Sequence, residues 1–263
     1  TCIGMLGERG NIDPLFAQMP CRLYSFAPPG QSTCMEFNDG KLLFSSDCTV
    51  PGDAWEAVVA ATKDAAPALF RDAELIALVN WSELSFAHGL WEQVCNVLSG
   101  SAPERQKFAF FDLCDVSRRT GSELDSVLGL IGRFAVYRTA VLSLNENEAL
   151  SIAEHLTGGQ TVPTEIAAAI RERYGIDEVI VHTIHESVLS SARGTVRRDS
   201  DFVAHPRIST GAGDHFNGAS CLAAVMGLTD NDRLAFANAF AHFYISQGRS
   251  PSLPELMDAA SDG

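Results

Sequence analysis

Four short apolar runs constrain the fold of this chain more than any other feature: 74–80 (ELIALVN), 107–112 (KFAFFD), 140–144 (AVLSL) and 178–184 (EVIVHTI). None alternates apolar with polar residues, so each reads as a strand covered on both faces. The segments between them carry helical stripes. Leu90, Trp91, Val94, Val97 and Leu98 share one; Leu124, Val127, Leu128 and Ile131 share another; Ile166, Ile170 and Tyr174 share a third. Strand–helix–strand alternation at this spacing predicts βαβ units and an α/β fold with a mainly parallel central sheet.

Two segments break the rhythm. Residues 22–46 read as short strands around Asn38-Asp39-Gly40, a hairpin-turn signal, and predict a β flap projecting from the main sheet. Residues 187–207 read as a second meander of short strands, and 213–227, 231–247 and 253–260 as helices. No repeat, low-complexity tract or Pro/Ser-rich linker interrupts the 263 residues, so residues 1–263 read as a single domain. The opening Cys2-Ile3-Gly4-Met5-Leu6 resembles an internal strand more than a beginning.

Charge narrows the partners. Nineteen Lys and Arg against thirty-three Asp and Glu give a net charge of −14, and no basic run exceeds two residues. Clustered cations are what nucleic acids and anionic membranes require, so neither is expected as a partner. The seven cysteines (2, 21, 34, 48, 95, 114, 221) form no C-x-x-C pair and read as free thiols in a reducing cytoplasm. No apolar run approaches the ~18 residues that span a bilayer, and no basic-then-apolar leader opens the chain.

The chemistry concentrates in Ser209-Thr210-Gly211-Ala212-Gly213-Asp214-His215-Phe216-Asn217-Gly218-Ala219, which follows an extended run and opens a helix of small residues. Glycines let backbone amides turn toward a ligand with no Cβ in the way. The amides of a helix N-terminus are unpaired and lie at the positive end of its dipole, a cradle for a phosphate or a migrating phosphoryl group. Asp214 at its mouth suits a base that takes a proton from an incoming hydroxyl. The same residues also suit a tight turn with Asp214 as an ordinary helix cap, and spacing alone does not choose between the two. The other phosphate loops are excluded: there is no G-x-x-x-x-G-K-[ST], and Phe216 occupies the third glycine of G-x-G-x-x-G.

Elsewhere, Asp112-Leu113-Cys114-Asp115-Val116-Ser117-Arg118-Arg119 follows a strand, where ligands bind in open α/β sheets, and Arg118 or Arg119 could meet a phosphate or carboxylate. Asn80-Trp81-Ser82 ends a strand on the same side. Trp55, Trp81 and Trp91 read first as hydrophobic packing residues, and His182, His185 and His215 show no metal-ligand spacing.

Thr-Gly-Ala-Gly-Asp-x-Phe-x-Gly at 210–218, about fifty residues before the last, resembles the second signature of the ribokinase-like (PfkB) carbohydrate kinases. Asn145-Glu146-Asn147-Glu148 with Leu156-Thr157-Gly158 is similar to the family's Asn-x-x-Glu segment. Ala237-Asn238-Ala239 and Gly248-Arg249-Ser250-Pro251-Ser252-Leu253-Pro254 are similar to its closing helix and tail, and Cys2 to Gly7 to an internal strand of it. The resemblance implies a three-layer α/β sandwich with a small β lid at 22–46, which leaves room for a homodimer formed through the lid edge. It implies transfer of the terminal phosphoryl group of ATP to a hydroxyl of a carbohydrate or similar acceptor, with Mg²⁺; ADP as donor stays open. Asp214 would be the base and Gly211, Ala212 and Gly213 the anion hole. Asn145, Glu148, Thr183, Asn238 and Gly248 would serve the nucleotide, with Glu148 reaching Mg²⁺ through water. Asn80, Trp81, Arg118 and Asn217 would face the sugar. By themselves, Asn145 and Glu148 read first as a helix cap.

Three departures accompany the resemblance. Ile208 stands where the family has an ion-binding Asp, so monovalent-cation activation does not carry over. Ile184 and Ser187 replace two glycines beside the nucleotide, and the family's first strand and Gly-Gly-x-x-x-Asn segment have no counterpart in residues 1–263. Ile208, Ile184 and Ser187 favour an alternative reading, a catalytically impaired ligand-binding or regulatory protein on the same fold; the intact Gly211–Asp214 sequence favours the kinase.

Overall fold

Residues Thr1–Ala73 with Asn80–Ala102 pack as one unit, and Glu74–Val79 with Pro103–Gly263 as a second, in a computed structural model that describes residues 1–8, 11–37, 40–45, 49–50, 52–252 and 254–255. In the first unit, β1 (Cys2–Gly4) pairs in parallel with β2 (Leu23–Ser25), and β3 (Ser32–Phe37) with β4 (Gly40–Ser45) as an antiparallel hairpin. Residues 23–25 therefore belong with the opening strand and not with the flap expected over 22–46. Ser25 is the reason they stay there: its buried hydroxyl accepts from the Leu6 amide and donates to the Gly7 carbonyl. The turn residues Asn38 and Asp39 lie outside the described residues. Helices α1 (Ala54–Ala61), α2 (Ala66–Asp72) and α3 (Ala87–Ser99) complete the unit. On α3 the buried stripe is Ala87, Trp91, Val94, Cys95 and Leu98, with Leu90 and Val97 left partly exposed.

The second unit holds the four apolar runs as adjacent parallel strands: β5 (Leu75–Leu78), β6 (Phe108–Asp112), β7 (Thr139–Asn145) and β8 (Glu178–His182). Antiparallel β9 (Glu186–Ser191) and β10 (Gly194–Asp199) finish the sheet on the β8 side, in the order β10-β9-β8-β7-β6-β5. The meander expected over 187–207 ends at Asp199. Residues 200–211 form no strand, and Pro206, lacking an N–H, could not donate to a ladder.

Helices cover both faces of this sheet. α4 (Gly121–Phe134), α5 (Glu146–Thr157) and α6 (Pro163–Tyr174) lie on one side, and α7 (Ala212–Val225) and α8 (Asp230–Gln247) on the other. Strand alternation sorts the core between them. Phe110, Val141, Ile180 and Leu189 join Phe216 and Ala219 of α7 and Leu234 and Ala237 of α8 in one cluster. Phe111 turns the other way, 4.9 Å edge-to-face from Phe134 of α4. The α4 stripe foreseen from Leu124, Val127, Leu128 and Ile131 is buried throughout. A buried ion pair, Arg233 of α8 with Glu178 of β8, ties the two layers, and Ser220 of α7 accepts from the same guanidinium. The helix expected at 253–260 falls largely outside the described residues. Among the described residues, no helix is long and apolar enough to cross a membrane.

Candidate active site

Sheet register decides which side chains meet. Asp112 stands beside Ser143, and Asn145 beside His182, at the C-terminal ends of β6, β7 and β8, the edge where open α/β sheets take ligands. Asp112, Ser143 and His182 all turn toward α7. The Asn217 amide of α7 donates to Asp112 at 2.6 Å and accepts from the Ser143 hydroxyl at 2.7 Å. His182 lies 4.7 Å from the Phe216 ring, and burial pushes its imidazole down to about 4.

α7 begins where the glycine-rich segment bends. Gly211 caps the helix at φ +92°, a conformation that favours glycine, and a Cβ there would lie 3.0 Å from the Tyr244 hydroxyl. The Ala212 N–H turns back to the Ser209 carbonyl at 3.2 Å. Among the described residues no hydrogen bond takes the N–H of Gly211, Gly213 or Asp214. Asp214 itself is exposed, with no hydrogen-bond or ion-pair partner among the described residues. The anion hole expected at 211–213 is thus two free amides and one internally bonded one, with the Asp214 amide beside them.

A cleft of about 530 Å³ opens over this helix end, with Ala212, Gly213, Asn145, His182, Thr183 and Asn238 in its wall. Of the residues expected to serve a nucleotide, Asn145, Thr183 and Asn238 line it. Glu148 faces a neighbouring cavity with Asp115 and Ser117, and Gly248 ends α8 in the left-handed conformation, outside the cleft wall. Asn145 and Glu148 form a reciprocal capping box on α5, so the cap foreseen as the simpler reading is present in full. The Thr183 hydroxyl holds the β8–β9 turn by accepting from the His185 and Glu186 amides at 3.0 Å. Ile184, 62% exposed, stands at the cleft wall where the resembled family has glycine, while Ser187 is fully buried.

The acidic groups near this edge shape its field. Burial, with Asp112 and Asp115 adding to it, pushes Glu148 up to about 8. Burial and the charge of Asp214 raise Asp112, against the hydrogen bonds it accepts from Cys114 and Asn217. A divalent cation would relieve that mutual repulsion, and an all-oxygen donor set suits Mg²⁺. Among the described residues no three acidic, His or Cys side chains converge closely enough to hold a metal by themselves.

The residues expected near a sugar are scattered. Asn217 is 7% exposed and committed to Asp112 and Ser143, so its amide builds the site from behind. Arg118 is exposed, 4.0 Å from Asp115. Asn80 and Trp81 belong to the first unit, Asn80 exposed in a left-handed conformation and Trp81 only 2% exposed. Sequence reasoning gave no role to Ser143 or Tyr244. Ser143 sits in an apolar run and Tyr244 in an uninterrupted helix, and neither carries a local signal.

Comparison with known proteins gives the family and the fold. Residues 1–262 match the profile of the prokaryotic ketohexokinase family. A ketohexokinase of Haloferax volcanii is 27% identical over 267 residues, covering 99% of this chain and 69% of that protein. Among solved structures, ribokinase from Thermotoga maritima superposes with a TM-score of 0.67 at 16% identity, over 91% of this chain and 72% of that one. A ribokinase-like protein from E. coli, crystallised with ATP and Mg²⁺, also gives 0.67 at 16% identity, over 92% and 73%. The ribokinase-like fold read from the 210–218 signature is therefore the fold observed, and the chain, a carbohydrate kinase, belongs to the prokaryotic ketohexokinase family.

Proposed function

We propose that the chain transfers the terminal phosphoryl group of ATP to a hydroxyl of a ketohexose, with Asp214 as base. The observation that carries this reading is the exposed Asp214, without a partner among the described residues, on a helix end whose Ala212 and Gly213 line a nucleotide-sized cleft and whose Gly211 and Gly213 amides take no hydrogen bond among those residues. Phosphoryl transfer asks chiefly for positioning and for neutralisation of charge on equatorial oxygens. The Gly211 and Gly213 amides and the α7 dipole would hold the migrating group. The Asp214 carboxylate would take the hydroxyl proton as the new P–O bond forms and the bond to the β-phosphate oxygen breaks, leaving ADP. Mg²⁺, when bound, would neutralise β- and γ-phosphate oxygens, with Glu148 and its neighbour Asp112 holding it through water. Asn145, Thr183 and Asn238 would border the nucleotide. The ketohexose comes from the family, the Haloferax volcanii relative being named a ketohexokinase. The β3–β4 hairpin would act as a lid and dimer contact, because Met35, Phe37, Leu42 and Phe44 share one face of it and are all exposed.

Nucleotide consumption by the purified protein over a panel of ketohexoses, aldoses and nucleosides tests this. Turnover should be largest with a ketohexose, and Asp214→Asn should lower kcat by roughly 10²–10⁴, the usual contribution of a general base. Undiminished turnover in that variant, or nucleotide binding with no turnover on any acceptor, overturns the reading.

A further inference from the structure

Behind the proposed anion hole lies a pair of rings that the phosphoryl chemistry leaves without a task. His215 follows Asp214 on α7, and its imidazole stacks on Tyr244 of α8, centroids 3.6 Å apart and planes within 13°. Each ring holds one carbonyl of the bend. The Tyr244 hydroxyl donates to the Thr210 carbonyl at 2.8 Å, and His215 Nδ1 lies 2.7 Å from the Gly211 carbonyl. A carbonyl oxygen only accepts, so Nδ1 carries the proton. In the neutral ring Nε2 is then an acceptor, and the Ser250 hydroxyl sits 2.8 Å from it, just past the end of α8. The bend is tied to the same helix once more upstream, where the Arg207 amide donates to the Ile245 carbonyl at 2.9 Å.

We propose that His215, with Tyr244, is a positioning clamp that sets the direction of the amides at the α7 N-terminus, and that Ser250 anchors it. The reason lies in the peptide unit. In a planar trans peptide the N–H of one residue points opposite to the carbonyl of the residue before it. Holding the Thr210 carbonyl therefore aims the Gly211 N–H, and holding the Gly211 carbonyl keeps the Ala212 N–H on the Ser209 carbonyl, which closes the bend ahead of the Gly213 N–H. Gly211 at φ +92° has no Cβ to restrict it; the Ala212 amide on Ser209 and the His215 amide on the Gly211 carbonyl at 3.1 Å close the bend, and the two rings add a second grip on its carbonyls. Donors that stabilise a transition state act best when their orientation is fixed beforehand. The inference rests on the kinase reading above.

Three variants test it, each assayed for kcat, for both KM values and for thermal midpoint, with Asp214→Asn alongside. His215→Phe keeps a ring on Tyr244 and loses both polar contacts. Its kcat should fall by about tenfold or more, the scale of a misaimed anion-hole donor, while the acceptor KM stays level. His215→Asn replaces a donor near the Nδ1 position and should recover most of that loss. Tyr244→Phe removes only the hydroxyl and should lower kcat without lowering the thermal midpoint, which keeps the test open if the His215 variants fold poorly. A kcat within about twofold of the parent in both His215→Phe and Tyr244→Phe overturns the clamp. So does a loss that His215→Asn fails to recover and that follows the thermal midpoint, the signature of mere packing. Full turnover by Asp214→Asn would instead remove the kinase reading beneath it, and the two failures are told apart by which variant keeps its rate.

Discussion

His182 shows what one residue can do at the end of a parallel strand. It closes β8, lies against Phe216 and forms part of the cleft wall. Burial disfavours the charged imidazolium and brings its pKa down from 6.5 to about 4. The cleft wall is therefore neutral at this position through the physiological range, which spares the α7 N-terminus a competing cation. The sign for stability follows from linkage. Between about 4 and 6.5 the unfolded chain binds a proton that the folded chain refuses, so His182 contributes stability that is complete above 6.5 and lost as pH falls through 4. Histidine-labelled NMR of the nucleotide-free protein should show one imidazole titrating near pH 4, absent from His182→Phe, and that variant should lose less stability on acidification than the parent. An ordinary midpoint for His182 would contradict the burial argument.

At the scale of elements, the β3–β4 hairpin is the least reconciled part of the first unit. Its register puts Met35 opposite Leu42 and Thr33 opposite Phe44 on a single face, with Phe37 beside them. Met35, Phe37, Leu42 and Phe44 are 42–59% exposed. A two-stranded ribbon is marginal by itself, and an apolar face left in water marks a surface awaiting a partner. The expected outcome is a dimer in sedimentation velocity at micromolar protein that Phe44→Asp shifts toward monomer; a monomeric parent at those concentrations would remove the reading. The hairpin was half legible from sequence. The Asn38-Asp39-Gly40 turn signal marks the strands around it, but nothing local says that residues 23–25 leave the flap to pair in parallel with Cys2–Gly4, some twenty positions upstream. The central strands were read well because a strand covered on both faces must be apolar throughout, whatever surrounds it. The signature at 210–218 was equally plain, since glycine spacing survives as text. The ties that hold it were not: His215 to Ser250 spans 35 residues and Asn217 to Asp112 spans 105, and contacts so distant leave no periodic trace.

The whole molecule carries a net charge of −14, and its ligand as proposed is also an anion. The cleft does little to offset this, since its lining contains neither Lys nor Arg among the described residues. Local attraction then comes from amides and a helix dipole, which act within a few ångströms, while the field of the acidic surface acts at longer range and repels. Salt separates the two, because screening shortens the long-range field from about 30 Å at 0.01 M to about 8 Å at 0.15 M and barely touches contacts inside the cleft. Raising ionic strength over that interval, with Mg²⁺ in excess, should raise kcat/KM for the nucleotide by a few-fold through faster association. The KM of an uncharged sugar should not move, since no long-range field acts on it, and kcat should stay level because the chemistry lies within the unscreened site. Stopped-flow association of a fluorescent nucleotide analogue gives the same answer directly. A rate that falls with salt would mean that the cleft is reached through a cationic approach, and the electrostatic account of how this acidic kinase collects its donor would have to be reversed.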